Sequence, residues 1–483
     1  MNSPFNEAKY NALLEGLEVK IKMFSETLGN KDFRIDSQYY TKEPLKNSKL
    51  SYDRIGTFIL KAQYGISIEM NEDGLGYPIY RMNEIHNMLC DTEVSKFANI
   101  SAFELKTFSL NDRDVVFNRT NSFEWVGRTG LYKKLDNRDF VFASYLVRFI
   151  PDQRFILPEY LTTFLNTKYG VNDIKRRARQ SINQTNVNPE EVKEIEIPKL
   201  SLKFQEKLKF IFDVAFNNKV NSVNIYTQAE ELLLKEIGLQ KLEQNKDAVN
   251  IKSFSESFAV SGRLDAEYYQ TKYDDILKFI ESYRNGSAKL ASVCNIKDKN
   301  YFPNDSTEYK YIELSNLGNL GEITDFTIDY GSALPTRARR ILKTNDVIVS
   351  SIEGSLEKCA LVSAKYNGAL CSNGFYVLSS DKINSETLLI LFKSHLIQSL
   401  LKKGCSGTIL SAINKTEFEN LLLPLIDTET QLKIKEKVKE SFALRDKADS
   451  LLEIAKQAVE LAIEKDEETA IKFINKQGVT NAV

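Results

Sequence analysis

Histidine is nearly missing from this chain: 483 residues hold two, His86 and His395. Histidine-rich zinc or di-iron centres are therefore not expected. A His-assisted nucleophile would need one of these two, and neither lies in a recognisable motif. Cysteine is scarce as well. The five (Cys90, Cys294, Cys359, Cys371, Cys405) are odd in number and scattered without a Cys-x-x-Cys spacing. That speaks against a disulfide framework and for a reducing, cytoplasmic setting. No run approaches the roughly 18 apolar residues of a membrane span, and the opening MNSPFNEAKY lacks the basic-then-apolar layout of a secretory signal. Charge of one sign is not in excess. Sixty-five Lys and Arg meet 66 Asp and Glu, for a net charge of −1, so the whole chain does not advertise a polyanionic partner, although overall neutrality is compatible with local basic patches.

Enzyme motifs are missing too. There is no GxxxxGK[ST] phosphate loop and no GxGxxG after a strand. The Asn/Asp-Pro-Pro-aromatic motif of amino-methyltransferases is absent, because Asn188-Pro189 runs into Glu190 and Glu191. Asp91 followed by Glu104-x-Lys106 has a loose nuclease spacing. With 27% of residues charged, such a match is expected by accident.

What is present is a core and a repeat. At 42% apolar residues the chain can bury a sizeable interior, and its length suggests two to four domain-sized units. Compared with itself, the sequence matches at an offset of about 230 residues. VKIKMFSET (19–27) returns as VNIKSFSES (249–257), and FRIDSQYY (33–40) as GRLDAEYY (262–269). LNDRDVVFNR (110–119) returns as LKTNDVIVSS (342–351). IEIPKLSLKFQEKL (195–208) matches LLLPLIDTETQLKI (421–434). The offset drifts by a few residues and the order is kept, and the period is far longer than that of a solenoid repeat.

Each half reads as a mixed domain followed by a long helix. Short runs rich in Val, Ile, Phe and Tyr (114–119, 139–150, 345–351, 372–380) predict strands. The stretches 157–177 and 385–403 predict helices. After Pro198 and Pro424 the spacing turns helical, and neither Gly nor Pro occurs within 202–237 or 425–477. In the first of these stretches Phe204, Leu208, Ile211, Ala215, Asn218, Ser222, Ile225, Ala229 and Leu232 follow a 4-3 seam. In the second, Ile434, Val438, Ser441, Arg445, Ala448, Leu452, Ala455, Val459 and Ala462 do the same, with Arg445 as a flaw. The expected fold is α+β: two tandem duplicated mixed α/β domains, each followed by a long helix, the helices pairing as an antiparallel coiled coil. The expected divisions are 1–200, 201–245, 246–425 and 426–475. The alternative is that each helix packs only on its own domain.

Polar and basic residues cluster at matching places. The first half carries Arg119, Asn121 and Arg128 around the sole tryptophan, then Lys175, Arg176, Arg177, Arg179, Asn183 and Gln184. The second carries Arg337, Arg339, Arg340, Lys358, Lys402, Lys403 and Ser406. Arg and Lys neutralise phosphates, and Arg, Asn and Gln can read base edges through paired hydrogen bonds. The competing reading is solvated helix ends and loops. The framework recurs while the loops differ, NRTNSFEWVGRT against SSIEGSLEKCAL, as two readers of two different sequences would require.

VVFNRTNSFEWVGRTGLY (115–132), IPKLSLKFQEKL (197–208), its copy LPLIDTETQLKI (423–434) and the helices that follow resemble the DNA-specificity (S) subunits of type I restriction–modification systems. The resemblance covers nearly the whole chain. It departs from the family where IPKLSL and LPLIDT stand for a Gly-rich, Pro-Pro-Leu-like lead into the helix, and where SSIEGS stands for Arg-Thr-Asn-Ser in the second half. It implies two target recognition domains, each reading one half of a split double-stranded DNA target, and helices that set the gap. It also implies two methyltransferase subunits, motor-nuclease subunits when restriction is possible, and no membrane. S-adenosylmethionine would bind the methyltransferase, leaving this chain with no cofactor, no metal and no catalytic residue. The rivals are a duplicated scaffold that binds protein or glycan, and a nuclease or transferase whose site goes unrecognised.

Overall fold

A computed structural model describes residues 13–17, 19, 21–28, 34–41, 46–182, 184–239, 249–407 and 411–479. The chain forms two compact units. The first comprises Met1–Val220 together with Asp446–Val483, and the second Asn221–Arg445. The linear division expected from sequence is thus cut across, because each long helix contributes one part to each unit.

The first unit is built on a six-stranded sheet in the order Ile59–Tyr64, Leu146–Pro151, Val115–Asn118, Thr129–Leu131, Leu89–Cys90, Ile85–His86. Val147 stands opposite Phe117 on one side and Tyr64 on the other, and the buried strand Val115–Asn118 is β-branched and aromatic, as a two-sided strand must be. The helix Pro158–Asn166 packs on this sheet, and the helix Lys168–Arg177 packs against that helix. The sequence reads them as one. The chain breaks at Thr167, whose hydroxyl accepts the Gly170 amide at 3.3 Å and so caps the second helix. Gly170 is needed there, since a Cβ would lie 2.2 Å from the Phe164 carbonyl oxygen.

The second unit repeats this order. Its sheet runs Asn295–Ile296, Phe375–Ser379, Val347–Ser350, Cys359–Leu361, and its helices are Ser385–Lys393 and His395–Gly404, again broken at a capping residue, Ser394. A separate sheet, Thr327–Tyr330, Glu308–Ile312, Leu370–Ser372, Ala338–Ile341, lies within the same unit.

Both long helices start from a short strand ending at the marked proline: Glu196–Pro198 paired with Tyr52–Arg54, and Leu422–Pro424 paired with Ser287–Lys289. Gln205 and Gln431, each seven residues after its proline, have matching physical roles. Gln205 accepts the Leu157 amide at 2.7 Å and donates to the Leu200 carbonyl at 2.9 Å. Gln431 accepts the Asn384 amide at 2.8 Å and donates to the Ile426 carbonyl at 2.9 Å. Both side chains are buried, so each amide ties its helix to the preceding loop and leaves no polar atom idle in the core.

The long helices run Leu202–Ile237 and Thr428–Glu464. In the first unit Phe204, Leu208, Ile211 and Ala215 share a core with Ala448, Leu452, Ala455, Val459 and Ala462. In the second, Ala229 and Leu233 share one with Ile434 and Val438. Ser441 donates to the Ser222 carbonyl at 2.8 Å and Lys437 to Gln228 at 2.7 Å, so within this unit the two segments run in opposite directions. Beyond Ser222 the buried positions are Tyr226 and Leu233, not the expected Ile225 and Leu232, which are only half-buried. A helix of 3.6 residues per turn drifts away from a strict seven-residue repeat, and the seam follows the drift. Arg445 is no flaw, because it pairs with Glu322 at 2.7 Å. The single helix expected over 426–475 is two. Asp466 accepts the Thr469 amide at 2.7 Å and caps a separate helix, Glu467–Lys476.

Candidate nucleic-acid interface

In the first unit the helix Lys168–Arg177 ends in a hairpin. Arg179–Gln180 pairs with Thr185–Asn186, which in turn pairs with Thr120–Asn121. The Thr120 hydroxyl donates to the Asn186 side chain at 2.6 Å, and the Val187 amide donates to the Arg119 carbonyl at 2.9 Å. The loop after the central strand and the hairpin after the helix thus form one small sheet. It brings together Asn121, Arg179 and Gln184, with Arg119 adjacent. Arg179 and Gln184 are exposed, and Ile182 at the tip is 100% exposed. Asn183 lies outside the described residues.

In the second unit the helix His395–Gly404 ends in the hairpin Cys405–Ser406 with Ala412–Ile413. Ala412 bridges to Ile352, in the loop after that unit's central strand. Lys402 and Ser406 are exposed beside it.

The structure engages several of the expected contact residues in other bonds. Arg176 and Arg177 are buried, at 7% and 5% exposure. Both donate to Asp173, Arg177 also reaches Glu191 at 2.9 Å, and Arg176 reaches the Tyr39 carbonyl at 2.9 Å. Guanidinium groups removed from water and paired in this way are not available to phosphates. The Lys175 ammonium donates to the carbonyls of Phe123, Glu124 and Val126. It therefore ties down the FEWVG loop, and burial pushes its pKa down to about 8. Lys403 lies 3.6 Å over the Tyr268 ring, with its pKa lowered by burial. Lys358 donates back to the Leu317 carbonyl at 3.2 Å. Arg337, Arg339 and Arg340 lie at or in the strand Ala338–Ile341, in a different sheet from the hairpin. Arg337 pairs with Glu313 at 3.7 Å and Arg340 with Asn300.

Two aromatic partners, Tyr64 and Phe302, were missed by sequence reading. Arg119 stacks on Tyr64 at 5.1 Å, Arg128 on Trp125 at 3.5 Å and Arg339 on the exposed Phe302 at 4.8 Å. Only the Trp125 pair is close in sequence. The others bring together residues distant along the chain, which no local pattern announces.

Residues 286–445 match the family described as the type I restriction modification DNA specificity domain. Over 379 residues the chain is 23% identical to the putative type I restriction enzyme MjaX specificity subunit of Methanocaldococcus jannaschii, covering 78% of this chain and 82% of that one. The match to the specificity domain covers residues 286–445, and the wider similarity to a specificity subunit covers most of the chain. A second relative, the EcoKI specificity subunit of Escherichia coli K12, is 30% identical over 146 residues, 30% of this chain and 31% of its own. The crystal structure of a type I system S subunit from M. genitalium aligns over 90% of this chain and 98% of its own, at 13% identity and a TM-score of 0.34.

The exposed hairpin residues of the first unit offer the sharpest test of the interface. Arg179→Ala should weaken DNA binding and reduce the slope of log affinity against log salt by about 0.9, the value of one phosphate contact. An unchanged slope in a salt titration would mean that Arg179 makes no phosphate contact.

Proposed function

We propose that this chain is the sequence-reading subunit of a type I methyltransferase–restriction complex. Its two duplicated domains would act as target recognition domains, each reading one half of a split double-stranded DNA target. The observation that carries the reading is the repeated construction just described: in both units a loop after the central strand meets a hairpin that leaves a two-helix layer, with different residues on the same frame. A shared frame with unlike contact residues suits two readers of two base sequences. Joined in one chain, two weak contacts compound into one strong one.

In this proposal the long helices form an antiparallel coiled coil that sets the gap between half-targets and docks two methyltransferase subunits, with motor-nuclease subunits joining when restriction operates. S-adenosylmethionine is assigned to the methyltransferase and no cofactor to this chain. The complex would work in the cytoplasm, where the five buried free cysteines stay reduced. No helix among the described residues is long and apolar enough to cross a membrane.

The test is to co-purify the chain with its methyltransferase and map methylated adenines across a genome. Methylation should occur at a split motif, and the purified chain alone should neither methylate nor cleave DNA. A partner-free preparation that transfers methyl groups would favour the enzyme reading. A complete assembly without sequence preference would favour the scaffold reading.

A further inference from the structure

The string Arg-x-Asp-x-x-Tyr-Tyr occurs twice, at 34–40 and at 263–269. In the first unit Arg34 grips Asp36 with two parallel hydrogen bonds, Nε to Oδ2 at 2.7 Å and Nη2 to Oδ1 at 3.0 Å. Its third nitrogen donates at 3.0 Å to the carbonyl of Arg177, the last residue of the helix before the hairpin. Tyr39 lies beneath that helix end, with the Arg176 guanidinium 4.6 Å from its ring centre. The Tyr40 hydroxyl closes the loop on the Arg34 carbonyl at 3.0 Å.

The second unit builds the same device from separate chain. Arg263 grips Asp265 at 2.7 and 2.9 Å and donates to the carbonyls of Lys403, at 3.4 Å, and Cys405, at 2.9 Å. Lys403 rests on the Tyr268 ring, and the Tyr269 hydroxyl donates to the Arg263 carbonyl at 3.2 Å. The Arg34 hydrogen bond holds the Asp36 carboxyl below the usual range, and Arg263 does the same for Asp265. Both carboxylates therefore stay ionised at neutral pH, and they lose their contribution only as acid protonates them.

A helix leaves its last carbonyls without partners. A guanidinium suits this end, because its planar fork can hold a carboxylate and still donate elsewhere. The hairpin that begins one or two residues later is pinned at its far side by pairing to Thr120–Asn121 in the first unit and to Ile352 in the second. The clamp fixes the near side. Base reading tolerates displacements of only about 0.5 Å in the groups that do it.

We propose that Arg34 with Asp36, Tyr39 and Tyr40, and Arg263 with Asp265, Tyr268 and Tyr269, are positioning clamps that set how each hairpin leaves its helix, and so govern base discrimination in the half-target read by that unit. The proposal rests on the reading of the chain as a two-domain DNA reader.

Arg34→Gln and Arg263→Gln chains, each assembled with the methyltransferase, are compared with the wild type by mapping methylated adenines. Each variant should keep methylating the wild-type target while discriminating about tenfold less against a mismatched base pair. The loss should fall in one half-target only, a different half for each variant, with the other half and the gap unchanged. A clamp that only supported the fold would lower methylation without relaxing either half. Tyr40→Phe and Tyr269→Phe remove one hydroxyl and keep the rings, and should relax the same halves by less; they carry the test if the arginine variants do not fold. Relaxation of both halves together, or of neither in folded variants, overturns the proposal. A wild-type map without a split motif defeats the functional reading, and the clamp proposal with it.

Discussion

Arg177→Ala should destabilise the first unit by about 3–5 kcal/mol, the cost of leaving a buried charge unpaired, and should leave the salt dependence of DNA binding by the remaining folded protein unchanged. Arg177 contacts both Asp173 and Glu191, whose carboxylates are themselves buried, and truncation leaves Glu191 without its guanidinium and Asp173 with Arg176 alone. Urea unfolding followed by a probe in the first unit, run beside the Arg179→Ala salt titration, separates the two arginines. A variant of full stability with a flattened salt slope would return Arg177 to the DNA surface. The second unit has Gly404 at the corresponding helix end, so no single change there should have the same cost.

The second large effect concerns the helices. Seven residues inserted after Val220 and seven more after Arg445 keep facing positions matched in both units, since each unit retains its own helix segments. Each helix lengthens by about 10 Å at 1.5 Å per residue, which corresponds to about three base pairs at roughly 3.4 Å. Both half-target sequences should stay as they are while the gap between them grows by about three pairs. A methylation map of the doubly inserted variant reads this directly. Altered half-sites would mean that the helices shape the reading surface. An unchanged gap with full methylation would mean that they are not the spacer.

The features legible in the sequence were those carried by period and punctuation. The repeat, the helices 202–237 and 428–464, and the prolines that precede them follow from spacing and from the absence of Gly and Pro. Gln205 and Gln431 stand in the matching strings IPKLSLKFQEKL and LPLIDTETQLKI, but their function depends on Leu157 and Asn384, loop residues that only the fold brings near. The basic clusters misled for a related reason. Neighbouring Lys and Arg in sequence say nothing about where each side chain points, and a helix turns successive residues about 100° apart. Asp173, three and four positions before Arg176 and Arg177, was the readable sign of helix ion pairs. Tyr39, their other neighbour, lies far away along the chain. The seam slipped at Tyr226 because a repeat of 3.5 was imposed on a helix of 3.6.

The first unit is not complete until residues from Asp446 onward have followed the whole of the second. Its core draws on Ala448 through Ile474, and the whole second unit lies between those residues and Val220. At a ribosomal rate of about 5–20 residues per second, the N-terminal segment waits on the order of ten to fifty seconds for the strand of sequence that completes it, while the uninterrupted second unit can fold as it emerges. During that interval Phe204, Leu208, Ile211 and Ala215 lack the apolar partners that later cover them. Shielding by a chaperone, or early capture by another subunit, would matter most in this window. Loss of the helix Glu467–Lys476, remote in sequence from Val220, would fall on the first unit and not on its nearer neighbour in sequence.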